Sequence, residues 1–114
     1  MPSLWPEPFG LAGPEAGLHG VPAAAFATGG IPEWLNDGRN GYLAPANPPT
    51  AEGLAAAIIG CLRDPARHRR MRLAAIELAA RFSVERHIGK LNEIFTEVAG
   101  RRASPTASGK FAAR

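Results

Sequence analysis

This chain has little of what several large protein classes require. Its 114 residues include one cysteine, Cys61, so an intrachain disulfide is excluded. That usage fits a reducing compartment, and the cytoplasm is the expected location. Three histidines beside a single cysteine also exclude a Cys-rich structural zinc site. No apolar run approaches the roughly 20 residues that cross a bilayer. Residues 1–25 show no basic start followed by an apolar core, so no secretory signal is read there. Aromatic residues make up only 7% of the chain. Hydrophobic residues at 46% and charged residues at 20% are an ordinary globular balance for one small domain.

Proline and glycine are abundant but unevenly placed. Nine of 11 prolines and eight of 13 glycines lie in residues 1–50, which predicts turns and short elements there. The remainder is Ala-rich and reads as helices. The net charge of +3 is also local. Arg63, Arg67, Arg69, Arg70 and Arg72 stand against Asp64 alone, which makes one basic helix face rather than a basic protein. A solvated helix exterior is the ordinary reading of such a face, with an anionic membrane surface or a nucleic acid as the partner to weigh against it. No aromatic residue is interleaved among these arginines, so a base-stacking platform is not expected and no nucleic-acid partner is assigned.

Residues 1–9 contain three prolines and cannot form a central strand, so they read as a loop leaving a strand end. A helix is predicted from about Leu11 to Leu18, with Pro14 in its first turn and Gly20 as terminator. Val21 to Ala27 and Tyr42-Leu43-Ala44 are short strand candidates, separated by the turn signals Asn36-Asp37-Gly38 and Asn40-Gly41. Thr50 caps a helix over 51–63 with Leu54, Ile58 and Leu62 on one face. Asp64-Pro65 starts a helix to about Arg81 with Met71, Ala75, Leu78 and Phe82 inward. Ser83 caps a last helix whose stripe is Val84, Ile88, Leu91, Phe95 and Val98, ending at Gly100. The fold class expected is α/β: a partial Rossmann-like half-domain with few parallel strands and about four helices. The domain is placed at 1–99 and a disordered tail at 100–114.

The stretch Glu7-Pro8-Phe9-Gly10-Leu11 followed by Glu15 carries the chemistry. A glycine at a helix start lets a ligand approach the backbone. Unpaired amides of Gly10, Leu11 and Ala12, aided by the helix dipole, then form an anion site suited to a phosphate or diphosphate. Flanking carboxylates repel phosphate but accept strong hydrogen bonds from vicinal diols. A diphosphate between two polyols satisfies both demands, and nucleotide sugars have that layout. Taken singly, each glutamate reads as a solvated helix or loop residue, and loop–Gly–helix starts are common. Cys61, beside Leu62 on a helix, reads as a packing thiol, and His19, His68 and His87 as surface residues.

The combination of Pro2-Ser3, Glu7 to Leu11, Glu15-Ala16, Gly20-Val21-Pro22, Gly29-Gly30-Ile31-Pro32-Glu33, Asp37-Gly38 and Asn40-Gly41 resembles the donor-binding domain of GT-B glycosyltransferases. More narrowly, it is similar to the retaining group called family 4, or glycosyl transferases group 1. The glutamates eight positions apart match that group's E-x7-E motif, and the likeness covers about residues 2–99. Arg81-Phe82-Ser83 and Glu85-Arg86-His87 are similar to the family's final helix. The resemblance implies that Glu7 is the catalytic residue and contacts hydroxyls of the transferred sugar. It implies donor binding by backbone amides of Phe9, Gly10 and Leu11, with Glu15 holding the ribose diol. It implies no metal and no cofactor beyond the nucleotide-diphosphate sugar, which is the substrate. Gly29, Gly30 and Glu33 read mainly as structural.

The chain also departs from the family pattern. Pro14 replaces an aliphatic residue, Gly17 and His19 lie in the same helix, and Ala23-Ala24-Ala25 replaces β-branched strand residues. The family's N-terminal acceptor domain and the Arg/Lys pair that meets the diphosphate have no counterpart here. The expectation is therefore a donor-site fragment, a truncated or misannotated gene product that is inactive alone and poorly stable. The alternative is a non-catalytic nucleotide-binding module, or one half of a split transferase that pairs with a separate N-terminal acceptor domain.

Overall fold

A computed structural model describes residues 1–103. Most of the tail expected at 100–114 therefore lies outside the described residues. Residues 1–82 form one compact unit, and the last helix belongs to a second.

In the first unit, helix α1 spans Ala12–Leu18 and strand β1 spans Ala23–Phe26. A 3-10 turn at Ile31–Glu33 and strand β2 at Gly41–Ala44 follow. Helices α2, Ala51–Leu62, and α3, Pro65–Ala79, come next, and a 3-10 turn at Ala80–Phe82 closes the unit. The strands pair in parallel, from Ala23 opposite Gly41 to Phe26 opposite Ala44. Parallel strands need a long crossover, and residues 27–40 supply it. The architecture is α/β, a partial Rossmann-like half-domain.

β1 is shorter than the span Val21 to Ala27 because its start is taken up by the end of α1. Gly20 takes φ +70. Its N–H donates to the Gly17 carbonyl at 2.9 Å, and that of Val21 donates to the Ala16 carbonyl at 3.1 Å. This pair of bonds is the Schellman closure that a left-handed glycine permits. An alanine-rich strand succeeds here because both faces of the sheet are covered, as parallel sheets require. Ala23, Ala25 and Leu43 face a cluster of Ile31, Trp34 and Leu35. Ala24, Phe26, Tyr42 and Ala44 face Leu54 and Ala57 of α2.

The inward face of α2 differs from the one that periodicity suggested. Ala57 and Cys61 are buried, and Leu54 packs partly under them. Ile58 and Leu62 are exposed, the latter at 63%. Small residues let the helix lie close to the sheet. The Tyr42 ring sits 3.0 Å from where a Cβ on Gly60 would be, which turns the bulkier side chains outward. α3 follows its pattern more closely, with Met71, Ala75, Leu78 and Ala79 buried. Phe82 is 41% exposed, although its ring meets that of Phe9 edge-on at 5.1 Å.

The two interior glycines of α1 have steric causes. A Cβ on Gly13 would stand 1.9 Å from Trp34 Cη2. One on Gly17 would stand 3.1 Å from Ala79 Cβ and 3.2 Å from the Ala75 carbonyl oxygen. The helix-propensity cost of Gly17 is thus the condition for close packing of α1 on α3.

The predicted caps form. Thr50 Oγ1 accepts the Gly53 N–H at 3.0 Å, and Asp64 Oδ1 accepts those of Ala66 at 2.9 Å and Arg67 at 3.2 Å.

In the second unit, α4 spans Val84–Ala103, and Ser83 Oγ accepts the Arg86 N–H at 3.3 Å. Gly100 does not end this helix. A glycine stops a helix only by turning left-handed, and an ion pair from Glu97 to Arg101 spans the position instead. Val84, Ile88, Phe95 and Val98 of the stripe are exposed. Among the described residues, no helix is long and apolar enough to cross a membrane.

Candidate functional site

The loop Ser3–Leu11 is held at the end of β1 by main-chain contacts. Gly29 and Gly30 form a shelf under it. The Gly30 N–H donates to the Glu7 carbonyl at 2.8 Å. A Cβ on Gly29 would stand 2.1 Å from the Glu7 oxygen, and one on Gly30 would stand 2.1 Å from the Pro8 oxygen. Only glycines allow this approach. Trp34 then fixes the far side of the loop, its indole Nε1–H donating to the Phe9 carbonyl at 2.6 Å.

Within the loop, the Glu7 N–H donates to the Trp5 carbonyl at 2.8 Å. The Ser3 hydroxyl donates to Glu7 Oε1. Glu7 Oε2 lies over the Gly10 Cα, 3.1 Å from where a Cβ would sit. Gly10 has φ +77, a second reason for glycine at this position. The first carboxylate of the pair is thus half-buried, oriented by Ser3, and placed beside the mouth of α1.

That mouth is open. Leu11 occupies the cap position in a helical conformation and provides no side-chain acceptor. The Gly13 N–H donates to Gly10 O and that of Glu15 to Leu11 O, both at 3.0 Å, and Pro14 has no N–H. Among the described residues, the amides of Gly10, Leu11 and Ala12 donate to no protein group. Glu15 is exposed in the first turn of α1, about 6 Å along the axis from Leu11. Glu7, Phe9, Gly10 and Leu11 therefore form one continuous loop and helix mouth, with Glu15 one turn further on.

The glycine shelf is the pair read as structural in the sequence, whereas Ser3 and Trp34 support the site without a strong local signal. Ser3 stands four residues before Glu7, a spacing that fits a side-chain bond only once the loop geometry is known. The bond from Trp34 spans 25 residues and has no local signature.

A small cavity of about 10 Å³ lies behind α1, lined by Gly13, Pro14, Gly17, Trp34 and Asn40 among others. It has room for about one water. Asn40 is buried and both its side-chain polar atoms are bonded, with Nδ2 donating to Trp34 O at 2.9 Å and Oδ1 accepting the Asn36 N–H at 2.7 Å.

The arginine cluster is partly structural. Arg67 lies over the Tyr42 ring at 5.2 Å, and Arg72 Nε donates to the Gly20 carbonyl at 3.1 Å. Cys61 is a buried packing thiol with Sγ 3.6 Å from Ala23 O, and burial pushes its pKa up. Among the described residues, no three His, Cys, Asp or Glu side chains cluster as metal ligands would.

Taken together, these features describe half of a Rossmann-like α/β domain with an open helix mouth at a strand end. Comparison with known proteins gives the family. The model of Glycosyl transferases group 1 matches residues 1–78, and the chain belongs to that family. It is 35% identical over 97 residues to a D-inositol 3-phosphate glycosyltransferase of Streptomyces scabiei, covering 84% of this chain and 21% of that protein. It is 36% identical over 93 residues to an N-acetyl-alpha-D-glucosaminyl L-malate synthase of Bacillus anthracis, covering 81% of this chain and 24% of that protein. An exopolysaccharide phosphotransferase of Streptomyces coelicolor is 36% identical over 106 residues, 92% of this chain and 11% of its own length. The chain thus spans a quarter or less of the length of these relatives.

Proposed function

We propose that this chain is the donor-gripping part of a retaining glycosyltransferase that uses a nucleotide-diphosphate sugar. The observation that carries the reading is the uncapped mouth of α1, with Glu7 oriented on one side and Glu15 exposed one turn along. The amides of Phe9, Gly10 and Leu11 take the diphosphate, and the positive end of α1 offsets the charge that develops on the leaving group. No metal is needed for that role in this reading. Glu7 accepts hydroxyls of the transferred sugar, while Ser3 holds its other oxygen. Glu15 accepts the ribose diol through charge-assisted bonds.

The acceptor is positioned by a part of the enzyme other than this donor grip, from the same polypeptide or a separately encoded one. By themselves the 114 residues bind donor without turning it over, because transfer needs both reactants held together. Calorimetric titration with UDP and with GDP tests the grip. Glu15 is exposed, so Glu15→Ala leaves the fold intact and weakens binding of the matching nucleotide by about 1–3 kcal/mol. Unchanged affinity contradicts the ribose role.

A further inference from the structure

Trp5 stands two residues before Glu7, in the same loop. It is 77% exposed, whereas Trp34 is 3% exposed in the core. A single exposed apolar residue is ordinary, but a large aromatic ring beside a carboxylate on a fixed main chain has the makings of a ligand contact. Here the backbone is fixed. Pro6 and Pro8 restrict the chain on either side of Glu7. The Trp5 carbonyl accepts the Glu7 N–H at 2.8 Å, and the Glu7 carbonyl accepts the Gly30 N–H at 2.8 Å. The main chain that carries the indole is therefore fixed, so only the two side-chain torsions of Trp5 remain to be ordered when something stacks on it.

Trp5 and Glu7 lie within about 7 Å of each other along the backbone. A pyranose has a rim of hydroxyls and a face of C–H groups. A carboxylate suits the rim and an indole face suits the C–H groups. We propose that Trp5 is a stacking platform for the transferred pyranose of the donor, working beside Glu7 as a specificity-determining residue. This inference rests on the donor-site reading above and adds a second contact to the sugar, independent of the diphosphate grip.

The test compares nucleoside diphosphates with their sugar conjugates: UDP against UDP-glucose and UDP-N-acetylglucosamine, and GDP against GDP-mannose. Titrations use the full chain and its Trp5→Ala and Trp5→Phe variants. In the wild type, one sugar conjugate binds more tightly than its parent diphosphate and quenches the exposed-tryptophan emission, while the parent does not. In Trp5→Ala, affinity for the parent diphosphate stays within twofold, and affinity for the conjugate falls by about three- to tenfold. Trp5→Phe recovers part of that loss. A sugar increment that is the same with and without Trp5 overturns the platform and leaves the donor site standing. An equal loss for diphosphate and conjugate also overturns it, since that is the signature of a disturbed loop. Failure of every diphosphate to bind the wild type overturns the donor reading, and the platform with it.

Discussion

Gly30→Ala is a sharp perturbation of the site because it separates packing from backbone strain. Gly30 has φ −84 and ψ 1, a conformation open to alanine. The whole effect must then come from the new methyl group, which would stand 2.1 Å from the Pro8 oxygen and 3.0 Å from the Phe9 Cα. Both are main-chain atoms of the motif loop, so no side-chain rotation relieves the clash. The loop must retreat by about 1 Å to reach ordinary carbon–oxygen separation. A shift of that size takes the Gly30 N–H to Glu7 O bond, now 2.8 Å, past hydrogen-bonding range. It also loosens the Trp34 to Phe9 bond. Losing one or both leaves half-buried polar groups unpaired, at about 1–3 kcal/mol each. Alanine's smaller unfolded-state entropy returns about 0.4–1 kcal/mol. The expected net loss is about 1–5 kcal/mol with both bonds lost and about 0–3 kcal/mol with one, and the former is a fall in Tm of several degrees or more for a unit of this size. Thermal melts by circular dichroism measure it, and nucleoside diphosphate titrations report the displaced loop as weaker binding. Gly89→Ala in α4 is the control of opposite sign. Nothing lies within 4 Å of its added methyl group, so helicity should rise. A Gly30→Ala protein with wild-type Tm and wild-type nucleotide affinity would refute the shelf.

Two further outcomes follow from particular groups. Cys61 is 6% exposed and its thiol pKa is raised by burial, so a thiol reagent at neutral pH labels it only as fast as the chain opens. Rapid labelling of the native protein would contradict the packing of α2 on the sheet. Asp64 has its pKa lowered, chiefly by the Arg67 N–H and also by that of Ala66. Folding thus favours the charged cap, whose contribution is present above the ordinary carboxylate range and is lost as pH falls below about 4. Asp64→Asn keeps an oxygen acceptor without the charge. Its Tm should decline less steeply than the wild type's through that window, and parallel curves would contradict the assignment.

What was legible in the sequence was mostly local. Thr50, Asp64 and Ser83 were readable as caps because a cap needs only its own side chain and the next turn. Gly20 was readable as a terminator for the same reason. The inward face of α2 was not, because the spacing of Leu54, Ile58 and Leu62 is as regular as that of Leu54, Ala57 and Cys61. Proximity to Tyr42 and the sheet decided between them. Gly17 looked like a weak point of a short helix until Ala79 and the Ala75 carbonyl filled the space that a side chain would take. Gly100 looked like a stop, but a helix continues through glycine when the following residues keep helical backbone angles. At the candidate site, the residues of the loop and helix mouth were legible as a pattern. Gly29 and Gly30 were legible as structural, but the roles of Ser3 and Trp34 were not, since these act through contacts that exist only after the loop folds back over the end of β1.

The central claim is that the free amides at the mouth of α1 receive a diphosphate between two hydroxyl-bearing ends. An amide chemical-shift titration of the isotopically labelled chain with UDP and GDP tests it most directly. Saturable shifts that are largest at Phe9, Gly10, Leu11 and Ala12 and extend to Glu15 are expected. Shifts centred instead on the arginines of α3, or no saturable shifts with either nucleotide, would contradict it.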